Sequence, residues 1–409
     1  MEKRIIHFPL KTLLSFLIFS EFLIWFGPIN YEIKNSFILV LYLFIVNLAF
    51  YFGYCQGVKR FKPSKFHVSS VLIKSVIILG FILNCFNLGS MWQSHGLSVS
   101  IDTFMKALLD PGQAYISSSD AEITSNMLLL LMSPIQWSAL PFGIFYWDKA
   151  NKFYKSITLL TLFVILCSWL GIGVRKGLFD VILVVSVCAL AINPSYLLDA
   201  KKNKRVKISL LVFSCLFVSY FLFSNLSRYG ESDFSALIYL NNGTYREVYL
   251  EYLPTVFVVV ISMIASYLTQ GYYALAKGLE MGIMPVSFMG SSWFTIAIAK
   301  KFSFDPTPNT YMALLEPQGI QMTVNWHSIY LWLANDFTFL GVPIVIYFIG
   351  YFFAQSWCDS LHRKNILALP VLALFSVMVF YFFANNQVIS FSFIPFVVCF
   401  SAYILSRKV

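Results

Sequence analysis

The sequence predicts an all-α polytopic integral membrane protein, and three observations predict it. Of 409 residues, 58% are hydrophobic and only 12% charged, whereas water-soluble domains run near 45–50% apolar and about 25% charged. The apolar residues fall in continuous runs of helix-spanning length rather than in the alternation of a transmembrane β-barrel. No stretch is long and polar enough for a separate soluble domain, so residues 1–409 read as one transmembrane domain.

The basic start MEKRIIHFPLK leads into an apolar run at 12–27 with no small-residue cleavage site after it, which predicts an uncleaved first span. Further runs at 37–54, 70–88, 126–147, 157–173, 178–193, 208–225, 338–357, 366–383 and 389–405 bring the number to ten. Twenty of the 29 lysines and arginines fall in alternate connections and at the two ends, which places both termini inside. The net charge of +10 thus reflects orientation, and nucleic-acid binding has no place. Thirteen of the 19 acids lie on the opposite side, Glu32 after the first span and twelve in two long outer connections at 89–125 and 226–337. The second holds an apolar stretch, 254–268, predicted as a short helix at the outer interface or dipping in and returning. Two extra spans near 254–275 and 285–299, making eleven or twelve, are the alternative. The seven cysteines are scattered, with no C-x-x-C pair; they read as small buried hydrophobes, with no metal, disulfide frame or cofactor indicated.

Charges mark the candidate site. A carboxylate in hydrocarbon costs at least ~2.5–3.5 kcal/mol, so Glu21 in the first span is a catalytic candidate, or else a paired or protonated acid. The turn Gly171-Ile172-Gly173-Val174-Arg175-Lys176-Gly177 sets two cations on the outer side among three glycines. Glycine allows close backbone approach, and a guanidinium fork suits phosphate. Arg175 and Lys176 are therefore candidates for an anionic headgroup, although Lys176 and Asp180, four apart, share a helix face and can simply pair. In the long loop Arg228 and Arg246 each adjoin a tyrosine, Tyr229 and Tyr245. Farther on, Asn325-Trp326-His327-Ser328 precedes a span, and His327 there is a candidate general base or phosphate donor. Tyr245, Tyr272, Tyr273, Trp293 and Trp326 are candidates for stacking on sugar rings, or for packing.

At these segments the chain resembles the O-antigen polymerase and ligase superfamily (Wzy and WaaL type). The Gly-x-Arg-x-Gly turn at Gly173 to Gly177, the stretch Ser266-Tyr267-Leu268-Thr269-Gln270-Gly271-Tyr272-Tyr273-Ala274-Leu275, the passage from Trp326-His327-Ser328 to Gly341, and the two large outer loops carry the resemblance. The family's arginine-to-glycine spacing is absent, since Ser186, Tyr239 and Phe257 stand where the glycines would be. The resemblance implies a GT-C-like, metal-independent glycosyltransferase in the bacterial inner membrane, with both termini cytoplasmic. It would move a growing glycan from undecaprenyl diphosphate onto another lipid-linked repeat unit. Arg175, Arg228 or Arg246 would neutralise the diphosphate, and His327 or Glu21 would act as base. The implied partners are the lipid-linked donor and acceptor, membrane lipid and a chain-length regulator. A ligase uses the same chemistry, and a lipid-linked oligosaccharide flippase is the rival of another class.

Overall fold

The computed structural model describes residues 3–64, 66–111, 114, 127–174, 176–198, 204, 208, 219–223, 243–284 and 286–408. Its main helices in chain order are α1 (Phe8–Phe26), α2 (Ser36–Lys59), α3 (Ser70–Ser94), α4 (Met127–Tyr146), α5 (Lys152–Gly171), α6 (Lys176–Ile192), α7 (Thr255–Met281), α8 (Trp293–Lys301), α9 (Ser328–His362), α10 (Ala368–Phe380), α11 (Gln387–Phe391) and α12 (Phe393–Ser406). Two three-residue strands, β1 (Ile29–Tyr31) and β2 (Gly243–Tyr245), complete the set used below.

Seven of the described helices are long and apolar enough to cross a membrane: α1 to α5, Phe257–Met281 within α7, and α9. Their outward faces carry Phe37, Phe44, Val71, Phe163, Leu340 and Ile344, all exposed, as a lipid-facing surface requires. The chain is an all-α, multi-pass membrane protein. Most of the run at 208–225 lies outside the described residues.

The stretch predicted as a short helix near 254–268 is longer. It continues to Met281, 27 residues in all, while the alternative second span at 285–299 is only the nine-residue α8. The most apolar window of α7 is 67% buried, against 22–39% in the other six crossing helices. This is a central helix, and its polar side chains are turned inward. The span predicted at 338–357 also starts earlier, at Ser328, but the run is broken at Thr338, with φ 55° and ψ 165°. A β-branched residue at positive φ is strained, so α9 is two pieces: a buried first segment and a long apolar second one.

The described residues form two compact units interleaved in sequence. The first takes residues 1–61, 232–355 and 377–393. Within it α2 crosses α9 at small residues: a Cβ on Gly53 would strike the Tyr347 carbonyl, one on Gly57 the Tyr351 carbonyl, and one on Gly350 the Phe50 carbonyl. Close backbone approach of this kind is how helices associate where lipid removes the hydrophobic drive. Gly27 and Pro28 end α1, and β1 then pairs antiparallel with β2, Ile29 opposite Tyr245 and Tyr31 opposite Gly243.

The second unit takes residues 62–231, 356–376 and 394–409. Its helices α3 to α6 pack closely, with Trp92 donating through Nε1 to the Ser168 carbonyl at 3.3 Å. A buried ionic network closes one end. Asp359 accepts from Tyr403 Oη at 2.7 Å, Arg407 Nη1 at 2.7 Å and the Ser64 amide at 3.2 Å. Arg407 also donates to the Lys62 carbonyl at 2.9 Å. Every oxygen of Asp359 is thereby occupied.

Candidate functional site

The site grows from the turn before α9. Asn325 folds it, its Oδ1 accepting from the Gln321 amide at 2.6 Å. The Trp326 amide donates to Gln270 Oε1 on α7 at 3.0 Å. The His327 amide donates to the Ala384 carbonyl at 3.0 Å and to Asn385 Oδ1 at 3.2 Å. The Ser328 amide reaches the same Ala384 carbonyl at 2.6 Å, and Asn385 Oδ1 takes a further bond from Trp332 Nε1 at 2.8 Å. Gly271 makes the meeting possible, because a Cβ there would collide with the Phe383 carbonyl and the Ser328 amide. Three segments distant in sequence, 266–275, 325–332 and 383–387, are thus joined by specific contacts.

The His327 side chain lies at their junction. It is fully buried and meets the Trp332 ring edge-on at 6.3 Å between centroids. Neither ring nitrogen has a hydrogen-bond partner among the described residues. Burial pushes the imidazole pKa down to about 3, the neighbouring Asn325 backbone offsetting part of the effect. Charging it would mean desolvating a cation with only that backbone group to offset the cost, so the ring is neutral at pH 7.

A second layer holds the neighbouring loop. Asp336 accepts from the Gly290 and Ser291 amides at 2.8 and 3.1 Å. Asn335 accepts from the Tyr311 amide and donates to the Gly290 carbonyl at 2.9 and 3.1 Å. Asn386 Nδ2 then donates to the Ser291 carbonyl at 2.9 Å. Asn385, Asn386 and Gln387 are residues of this candidate site that the sequence reading did not name, whereas Gln270 lay within the 266–275 stretch without a role. Three successive carboxamides inside an otherwise apolar run were the signal available.

The other candidates sit elsewhere. Glu21 is held by Asn47 of α2, whose Nδ2 donates to both carboxylate oxygens at 2.8 and 2.9 Å. Its partner is thus a carboxamide rather than a cation. Tyr272 is fully buried, its hydroxyl 2.9 Å from Ser20 Oγ; no ring face is left for a sugar. Arg246 turns its guanidinium onto the Ile24 and Ile29 carbonyls, both at 3.4 Å. It therefore serves the end of α1, where orphan carbonyls favour a cation. Tyr245 is placed by its strand pairing with Ile29, and Trp326 is half-buried with its ring tilted against Tyr267 at 6.4 Å.

In the second unit Lys176 pairs with Asp180 at 2.7 Å, as their spacing allowed. The glycines of that turn serve packing: a Cβ on Gly171 would enter the Trp92 ring, and one on Gly177 the Trp169 ring. Arg175 and Arg228 lie outside the described residues. Among the described residues no three His, Cys, Asp or Glu side chains gather as a metal ion would need. Compared with known proteins, the chain matches no family model, no curated protein and no solved structure.

Proposed function

We propose that the protein is a glycan polymerase that transfers a growing chain from undecaprenyl diphosphate to the sugar of a second lipid-linked repeat unit, at the outer face of a bacterial inner membrane. One observation supports this above the others. Two of the segments that resemble the polymerase and ligase superfamily, 266–275 and 326–328, meet through Gln270, Gly271 and the Trp326 and Ser328 amides beside a buried, neutral imidazole.

In the reaction the acceptor hydroxyl oxygen attacks the anomeric carbon at the donor's reducing end. The bond from that carbon to the diphosphate oxygen breaks, and undecaprenyl diphosphate leaves with the electron pair. The hydroxyl proton goes to His327. An imidazole whose pKa lies at about 3 is a poor base by itself. A diphosphate beside it reverses this, since nearby negative charge favours the protonated ring. Base strength then arrives with the donor, and the unloaded site is inert. Arg175 is the first choice for neutralising the leaving group and Arg228 the second; Arg246 is engaged with backbone carbonyls.

Deleting the gene and separating the surface polysaccharide on a gel tests the reading. A single repeat unit in place of a ladder supports polymerisation, whereas loss of all attached glycan points to a ligase or flippase. In complemented cells Arg175→Ala should abolish the ladder and Arg175→Lys restore it only in part, because the planar fork is gone.

A further inference from the structure

On the segment that accepts from the His327 amide lies a group of neutral side chains to which the proposed transfer assigns no role. Asn386, Gln387 and Ser390 are buried, and Asn386 Oδ1, Gln387 Oε1 and Ser390 Oγ have no hydrogen-bond partner among the described residues. Asn386 and Gln387 follow directly on Ala384 and Asn385, which accept from the His327 amide, and Ser390 lies one helical turn farther along α11. Such atoms are expensive, since a buried polar group without a partner loses its hydration and gains nothing in return.

The chemistry of these atoms selects a ligand class. Asn386 Nδ2 is already given to the Ser291 carbonyl, so the atom left over is an acceptor oxygen. Gln387 likewise offers an oxygen, while the Ser390 hydroxyl and a neutral imidazole can each donate as well as accept. The two carboxamide oxygens call for a ligand that donates, and an ionised phosphate oxygen cannot. An ammonium group would donate, but the nearby carboxylate that could balance it, Asp336, already has both oxygens on the Gly290 and Ser291 amides. A neutral polyol meets all the requirements.

We infer that Asn386, Gln387 and Ser390, together with His327, form a hydroxyl-binding subsite for a neutral sugar ring, distinct from whatever groups bind the diphosphate. This deepens the proposed glycan transfer and rests on it for the identity of the sugar. The four side chains are closed over in this conformation, so the sugar enters with a local opening of α11, only five residues long.

The test uses the full chain in nanodiscs and follows tryptophan fluorescence, since Trp332 adjoins His327. The probe is the free oligosaccharide released by mild acid from lipid-linked repeat units of cells lacking the protein. Inorganic pyrophosphate is the competitor. Wild type should bind the oligosaccharide without competition from pyrophosphate. Asn386→Ala should weaken binding about tenfold and Ser390→Ala a few-fold, as the loss of single neutral hydrogen bonds predicts. Should Asn386→Ala fail to fold, Ser390→Ala decides, because it removes one hydroxyl and almost no volume.

Equal affinity in wild type and variants would overturn the subsite. So would displacement by pyrophosphate, which would make it an anion site, or no binding at all, which would leave ordered water as its occupant. A ladder in cells together with unchanged oligosaccharide affinity in the variants removes the subsite and keeps the polymerase. Oligosaccharide binding that depends on Asn386, without any ladder, does the reverse.

Discussion

Two buried polar clusters in this protein have opposite accounts. In one, Asp359, Arg407, Tyr403 and Ser64 satisfy one another, and nothing is left to bind a ligand. In the other, His327, Asn386, Gln387 and Ser390 keep five side-chain atoms without hydrogen-bond partners among the described residues. A satisfied network fixes structure, while each unsatisfied group costs about 1–3 kcal/mol that something else must offset. The charged cluster is architecture and the neutral one is the better candidate for chemistry, the reverse of what charge in a membrane suggests at first sight.

The largest effect should come from Asp359→Ala, which strands Arg407 and should cost about 3–5 kcal/mol. It should be read as thermal unfolding in detergent, with elongation per folded molecule unchanged. His327→Phe keeps a ring but removes both nitrogens. Elongation of glycan chains should fall about a hundredfold, while the melting temperature holds or rises; an equal loss of stability would put both clusters in the structural class.

The pH dependence is next in size. The folded pKa of His327 is depressed to about 3 by burial, against an unfolded value near 6.5. Between these limits the unfolded chain binds the extra proton, so stability is complete above pH 6.5 and falls as the pH drops. From pH 6.5 to pH 5 the loss should reach about 2 kcal/mol. Melting curves of His327→Phe should lack it; an identical acid sensitivity would assign the effect to other groups. The smallest effect belongs to Arg246→Ala, about 0.5–1 kcal/mol for a cation at a helix C-terminus, with elongation retained. A collapse of donor affinity in that variant would return Arg246 to the diphosphate.

Much of the fold was legible because lipid demands unbroken apolar runs. The runs at 12–27, 37–54, 70–88 and 126–147 correspond to α1, α2, α3 and α4 within a few residues, except where α2 and α3 extend farther. α7 was under-read because Thr269, Gln270, Lys277 and Glu280 interrupt its second half. Those side chains have partners inside the protein, Lys277 pairing with Glu280 at 3.4 Å, so hydropathy mistakes an interior helix for a short one. His327 was legible as a histidine at the mouth of a span. Asn386 was visible only as one of three successive carboxamides, since a sequence does not announce whether a hydrogen bond has been met. The partners of Arg246 were hidden for the same reason: its acceptors lie more than two hundred residues away.

The pairing of β1 with β2 bears on how this chain can diverge. Its ladder joins main-chain groups, but Ile29 and Tyr31 are buried and a Cβ on Gly243 would strike Ile29, so substitution is freest at the exposed Asn30 and Thr244, where the long connection stays moored to the first helix whatever the side chain. Proline is the exception: at position 246 it would delete the amide that reaches the Pro28 carbonyl at 2.9 Å and cut the mooring at its root.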